Sequence, residues 1–410
     1  MEDVHLTPSQ SLGVLPQAEY MALTGNKVVL ALSGTRMKHV EVNDFIIHLR
    51  SFQGGLEWSQ HRGKVSPAYT VISPKADALP QYFRYLLKST GYIETIASLT
   101  NQLRDGQSMR YADFGKTPLP VPPVEEQWKI SVYLDEEIAE INDFIADQKG
   151  LVTLLIERRF ATISNSITKG LPLSLFNSST EEFTLSEVPP HWSKLKLSWV
   201  FEFLNGDRGS NYPSQDEMLQ EGVPFINAGH LSGDTVDYSN MNYITAEKYA
   251  TLGGAKLQEN DILYCLRGSI GKKAIVKGIS DGALASSLVA LRLRPDTDLD
   301  PEFAFYMLST QTEEVQRTLS IGGSAQPNLS VDDLKDFVFV VPPLNEQRPI
   351  VKYIQRESAK IDAAIDDAQS AISLSTERRA ALISAAVTGK IDVRNWKKPK
   401  ERVLKDYGVA

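Results

Sequence analysis

The sequence predicts an α+β protein in which two globular segments alternate with two long antiparallel helices, the helices forming a coiled coil and the whole repeating about a pseudo-twofold axis. Three observations predict it. The phrase "VPPVEEQ" at Val121 returns as "VPPLNEQ" at Val341. The offset between the copies (342 − 122 = 220) holds without a gap for roughly fifty residues, as an internal repeat does. The stretches around the repeated parts mix short apolar runs with turns and short helices, the pattern of α+β segments.

The elements follow in order. Residues 1–120 form a first globular segment and 121–180 a helical region. Residues 181–340 form a second globular segment, 341–395 a second helical region and 396–410 a tail. Within the helical regions apolar residues step by four and three. The first seam runs Leu134, Ile138, Ile141, Ile145, Gln148, Val152, Leu155. The second runs Ile354, Ser358, Ile361, Ile365, Ala368, Ile372, Ser375, Arg379, Leu382. This alternation is the a/d rhythm of a coiled coil. Paired prolines and the acidic Glu125, Glu126 and Glu346 open each helix. "TKG" and "TGK" supply a glycine at the other end. At about 40 residues each helix should span about 60 Å. Polar seam residues weaken the seam and fix its register.

The globular segments share only a skeleton. "VNDFIIHLRSFQGG" (42–55) parallels "ENDILYCLRGSIGK" (259–272), and "LPQYFRYLL" (79–87) parallels "DPEFAFYML" (300–308). "MRYADFGKTPLPVPP" (109–123) parallels "LSVDDLKDFVFVVPP" (329–343). The helices therefore share one task and the globular segments perform two. Trp192 has no counterpart, since 192 − 220 is negative, so the first copy is expected to lack its opening strands.

Composition narrows the class. A chain of 410 residues with 42% hydrophobic residues can bury more than one core. No apolar run approaches the ~20 residues of a membrane span. The N-terminus "MEDVHLTPSQ" does not read as a signal peptide, and one cysteine, Cys265, excludes an internal disulfide. A cytoplasmic protein is expected. The net charge is −8. Residues 1–118 hold 12 Lys and Arg against 10 Asp and Glu, whereas residues 181–340 hold 13 against 23. Any nucleic-acid contact by the second segment must come from a local basic patch.

The layout resembles the specificity subunit of type I restriction–modification systems. In that family two target recognition domains alternate with two similar helical regions, each opened by a "PPLxEQ" phrase. "EVPPHW" (187–192) and "GGSAQPNLSVDDLK" (322–335) resemble the phrases that open and close a recognition domain. The resemblance implies a non-catalytic subunit that reads a bipartite target in double-stranded DNA. It implies that the helices set the spacing and dock two DNA-adenine methyltransferase subunits, with motor-nuclease subunits joining through these. S-adenosylmethionine, ATP and Mg are then expected on the partners, and no cofactor on this chain.

Base readout needs Arg or Lys toward guanine and Asn or Gln toward adenine. In the first segment the candidates are Arg50, Gln53, Arg62 and Lys64. In the second they are Asn205, Arg208 and Asn211, then Arg267, Lys272 and Lys273, then Ser324, Gln326 and Asn328. For any one of them a solvated loop position is the bland alternative. Core packing is the more ordinary role for Trp58 and Tyr212. Arg158, Arg159, Arg378 and Arg379 are the candidates for facing the methyltransferase subunits. No catalytic set stands out. "GSIGKK" is not a P-loop, and the histidines have no metal-ligand spacing. Pro295-Asp296 with Asp333 and Lys335 imitates a nuclease motif, but "SVDD" reads as a helix start. A coiled-coil adaptor that binds proteins is the alternative function.

Overall fold

The computed structural model describes residues 4–28, 37–47, 56–99, 114–171, 188–207, 209, 211–279, 281–321 and 327–397. The chain forms two compact units, Met1–Gly150 with Ala368–Ala410, and Leu151–Asp367.

The first unit opens with a hairpin, β1 (Leu6–Ser9) and β2 (Gly13–Pro16), and the helix α1 (Gln17–Thr24). Strands β3 (Lys38–Val40), β4 (Phe45–Ile47), β5 (Leu56–Trp58), β6 (Gly63–Val65) and β7 (Thr70–Ile72) follow. They form a three-stranded sheet in the order β5-β4-β7 and a β3-β6 pair. Helices α2 (Pro80–Leu86) and α3 (Thr90–Leu99) lead to the first long helix, α4 (Val124–Lys169).

The second unit continues with β8 (Ser193–Lys196), α5 (Leu197–Val200), β9 (Phe201–Asn205) and β10 (Val223–Ile226). Then come β11 (Leu231–Ser232), β12 (Thr235–Val236), β13 (Asn242–Ile244), α6 (Ala246–Thr251), β14 (Ile262–Cys265) and β15 (Lys273–Ile275). It closes with β16 (Ala283–Leu284), β17 (Leu288–Leu293), α7 (Pro301–Met307), α8 (Gln311–Ile321), α9 (Val331–Lys335), β18 (Val338–Val341) and the second long helix, α10 (Leu344–Val387). Its main sheet runs β11-β12-β15-β14-β17-β9. The central strand β14 is buried at every residue, which is why "ILYC" carries no polar alternation. Among the described residues the first unit's sheet ends at β7, the counterpart of β17, with no strand in the place of β9.

Shared phrases have local causes. Asn43 and Asn260 both adopt left-handed backbone (φ 77° and 68°), a conformation that asparagine tolerates. The next residues, Asp44 and Asp261, each accept a backbone N–H at 2.8 Å, from Glu41 and Gln258. The "ND" pair is thus one turn, built twice. The repeated Gln is a clamp. Gln127 and Gln347 are fully buried. Gln127 accepts from the Leu79 amide (2.8 Å) and donates to the carbonyls of Asp77 (2.9 Å) and Pro122 (2.8 Å). Gln347 accepts from the Asp300 amide (2.8 Å) and donates to Asp298 (3.0 Å) and Pro342 (2.9 Å). Each therefore ties the segment entering α2 or α7 to the start of a long helix.

The long helices contain 46 and 44 residues, more than the sequence pattern suggested, because they start directly after the paired prolines. Both end at glycines with left-handed backbone, Gly170 (φ 83°) and Gly389 (φ 73°). Helices α4 and α10 run antiparallel within each unit. In the first, Ile130 and Leu134 share a core with Ala386 and Val387. In the second, Ile163 and Ile167 share one with Ile350, Val351 and Ile354. Of the seam positions, Leu134, Ile141, Ile145, Ile354, Ile361 and Ala368 are buried, and so is the polar Ser358.

One contact recurs with its partners exchanged. Arg379 donates to the Asn142 side chain at 2.6 Å in the first unit, and Arg159 ion-pairs with Asp362 at 3.0 Å in the second. The repeat offset of 220 carries 159 to 379 and 142 to 362. The same two repeat positions thus meet in each unit, with the helices that supply them exchanged.

Candidate nucleic-acid interface

In the second unit Arg267, Lys272 and Lys273 lie on the hairpin of β14 and β15. Its turn carries "LRGSIGK", and Gly268 and Gly271 adopt left-handed backbone (φ 74° and 85°). The turn closes through the Cys265 amide to the Lys272 carbonyl (2.8 Å) and the Gly271 amide to the Cys265 carbonyl (3.0 Å). Arg267 and Lys272 project from it and are exposed. The Lys272 ammonium donates to the Ala228 carbonyl at 3.0 Å, which ties the turn to the "NAGH" segment.

Arg267 also meets Asn328, more than sixty residues away. Their backbones form a bridge, and the guanidinium Nε donates to the Asn328 side-chain oxygen at 3.3 Å. Alongside, the Leu329 amide donates to the Leu266 carbonyl at 3.1 Å. Two loops that the sequence offered separately thus present one surface, with a guanidinium beside a carboxamide. Those are the two side-chain types suited to guanine and adenine edges. Asn205 and Asn211 lie on a second segment. Asn211 donates to the Thr251 carbonyl at 3.0 Å, and the Asn205 carbonyl accepts from Ala255 at 2.8 Å. Asp207 holds this segment through the amides of Gly209 (2.6 Å) and Gly253 (2.8 Å). Gly206 is required there, since a Cβ would come within 2.2 Å of the Ala285 carbonyl.

Lys273 is a correction. Its side chain points into the protein, 14% exposed, with its ammonium 3.7 Å from the carboxylate of the buried Glu313. Burial pushes the ammonium below its usual pKa, while Glu313 acts the other way. Successive strand residues face opposite sides, so as the first residue of β15 Lys273 turns in where Lys272 turns out. Glu313 also accepts from the Tyr264 hydroxyl and from Arg317 Nε (3.0 Å). Burial raises the Cys265 thiol, which suits a packed thiol rather than a nucleophile. Sequence reading missed Glu313 and Arg317, although "EEVQR" on a helix was the signal for their i, i+4 pair.

In the first unit Arg62 is exposed, 3.5 Å from Glu41, and Lys64 lies half-buried in β6. Trp58 packs beneath the Arg84 guanidinium, and Tyr212 of the second unit packs edge-on to Phe225. Arg50, Gln53, Arg208, Ser324 and Gln326 lie outside the described residues. Among the partner candidates, Arg158 and Arg378 are exposed. Arg159 and Arg379 instead point toward the neighbouring helix, and Arg159 is paired with Asp234 (2.7 Å) as well as Asp362. Ser330 caps the start of α9, its hydroxyl accepting the Asp333 amide and donating to the Asp333 carboxylate, as "SVDD" suggested. Among the described residues no group of three potential ligands could hold a metal, and no helix is long and apolar enough to cross a membrane.

Residues 189–367 match the family model of the type I restriction modification DNA specificity domain, and that segment contains the Arg267 turn, Asn328 and the Glu313 cluster. The chain is 23% identical over 329 residues to the specificity subunit of the type I restriction enzyme EcoBI of Escherichia coli, covering 78% of this chain and 65% of that one. It is 21% identical over 286 residues to the MjaVIII specificity subunit of Methanocaldococcus jannaschii, covering 69% and 64%. The alignments thus span about two thirds of the length of these relatives (65% and 64%). The fold is shared with a chain from a structure on complex assembly and conformational transition of the type I R-M system, at a TM-score of 0.63, 16% identity and coverage of 95% and 92%. The likeness to type I specificity subunits read from the repeat is borne out by these relatives.

Proposed function

We propose that this chain is the DNA-binding specificity subunit of a type I restriction–modification enzyme and carries no catalytic centre of its own. Its two globular parts each read one half of a bipartite target. The long helices fix the gap between the halves, a geometry suited to half-sites about 34–36 Å apart. The helices also dock two DNA-adenine methyltransferase subunits, and motor-nuclease subunits join through these. S-adenosylmethionine, ATP and Mg belong to those partners, and the site of action is the cytoplasm.

The observation that carries this reading is the pairing of Arg267 with Asn328 on an exposed double loop inside the matched domain. Readers of base edges in this scheme are Arg267, Asn328, Asn205 and Asn211, with Arg208, Ser324 and Gln326 from the same loops. Lys272 holds backbone phosphate, which positions without reading sequence. Arg50, Gln53, Arg62 and Lys64 serve the other half-site. Arg158 and Arg378 face the methyltransferases.

Binding to a duplex that carries the target, followed by anisotropy over a salt series, tests it. The logarithm of affinity should fall linearly with the logarithm of salt, with a slope of about −0.9 per phosphate contacted. Affinity that does not respond to salt would contradict the proposal.

A further inference from the structure

We infer that Glu313 and Arg317, which pack against the stems of the Arg267 turn, are positioning residues that set the shape of that turn and so govern which bases one half-site accepts. The inference rests on the DNA-reading role proposed above. The turn stands on one side of the β14–β15 hairpin, and α8 lies directly beneath it. Glu313, 2% exposed, packs against a cross-strand pair of the two strands that feed the turn. It accepts from Tyr264 on β14 and lies 3.7 Å from Lys273 on β15. One carboxylate thus fixes both stems.

Arg317 sits one turn further along α8 and completes the support. Its Nε donates to Glu313 at 3.0 Å. Its guanidinium also fills the space under Gly271, where a Cβ would come within 2.6 Å of Nε. Gly271 therefore rests on the Arg317 side chain, and its left-handed backbone (φ 85°) turns the chain back into β15. The last residue of α8, Ile321, is followed closely by Asn328, which bonds Arg267 at the tip. The helix that packs against the stems of the turn thus ends seven residues before Asn328. Glu313 is buried, so its effect on DNA passes through the geometry of the turn. A misplacement of about 1 Å is enough to spoil a bidentate contact to a base.

The test is selection of bound duplexes from a randomised library by the full-length wild-type chain and by Arg317→Met and Glu313→Gln. Affinity for random duplex and thermal melting are measured in parallel. Arg317 is partly exposed and Met keeps its stem, so Arg317→Met should stay folded even if Glu313→Gln does not. We expect at least a tenfold loss of base discrimination confined to one half-site, with the other half-site and the affinity for random duplex unchanged. A folded Arg317→Met protein that recovers the wild-type motif would overturn the inference and leave the DNA-reading role standing. An equal loss at both half-sites would overturn it as well, since that marks general destabilisation. A wild-type chain that selects no motif would overturn the DNA-reading role, and the inference with it.

Discussion

Gln347 shows how much one buried side chain can decide. Its carboxamide joins three backbone groups with no exposure to water, so truncation leaves a donor and two acceptors unpaired. Gln347→Ala should cost about 3 kcal/mol, measured by urea unfolding, because each orphaned buried group costs about 1 kcal/mol or more. His230 makes a different prediction. Its Nδ1 accepts the Asn227 amide at 3.1 Å, and burial holds its pKa below 6.5, against a smaller opposing pull from Asp237. The unfolded chain therefore takes up a proton that the folded chain resists. Stability is complete above pH 6.5 and is lost as pH falls from 6.5 through the folded value. Melting temperatures measured between pH 7.5 and about 5.5 should fall more in the wild type than in His230→Asn, which keeps an acceptor but does not titrate. Equal falls would show that other groups are responsible. At this scale the sequence named residue types but not directions. "GKK" does not say which lysine turns inward until the strand register places Lys273 at the start of β15.

At the scale of elements, the repeat made the two helices legible, and the structure adds why the repeated phrases persist. The Gln of "EEQ" and "NEQ" is a clamp. The second arginine of each "ERR" makes the exchanged contact between helices, while the first stays exposed. Sequence reading grouped all four arginines as partner-facing because helical period alone does not separate adjacent residues on a half-buried face. Charge reversal now distinguishes them. Arg159→Glu places a carboxylate among Asp234 and Asp362 and should destabilise the second unit by about 2 kcal/mol or more. Arg378→Glu should leave unfolding unchanged and weaken binding to a methyltransferase subunit, measured by co-purification. The seam carries its own test. The Ser358 hydroxyl is buried without a hydrogen-bond partner, so Ser358→Ala should raise stability by about 1 kcal/mol in urea unfolding. The β14–β15 hairpin was visible from "DILYCLRGSIGKKAIV". Its contact with Asn328 was not, because a bridge across some sixty residues leaves no local pattern.

For the whole molecule, the acidic second segment requires any DNA contact to come from a local basic patch. Some of its charges are matched inside the fold. Glu313 is buried against Lys273 and Arg317, and Asp261 is held by Arg292 at 2.7 Å. Arg267 and Lys272 meanwhile remain exposed on the turn. Net charge does not say where charge sits, and these two exposed cations form a local basic patch on an acidic segment. Two parts built on one plan but with different loops suit a target whose halves differ in sequence. Base-resolution mapping of methylated adenines tests this most directly, in cells that carry the chain with its methyltransferase subunits and in cells that lack only the chain. The account predicts a motif of two unlike specific blocks separated by a fixed unspecified gap, appearing only when the chain is present. Methylation independent of the chain, or confined to one contiguous block, would contradict it.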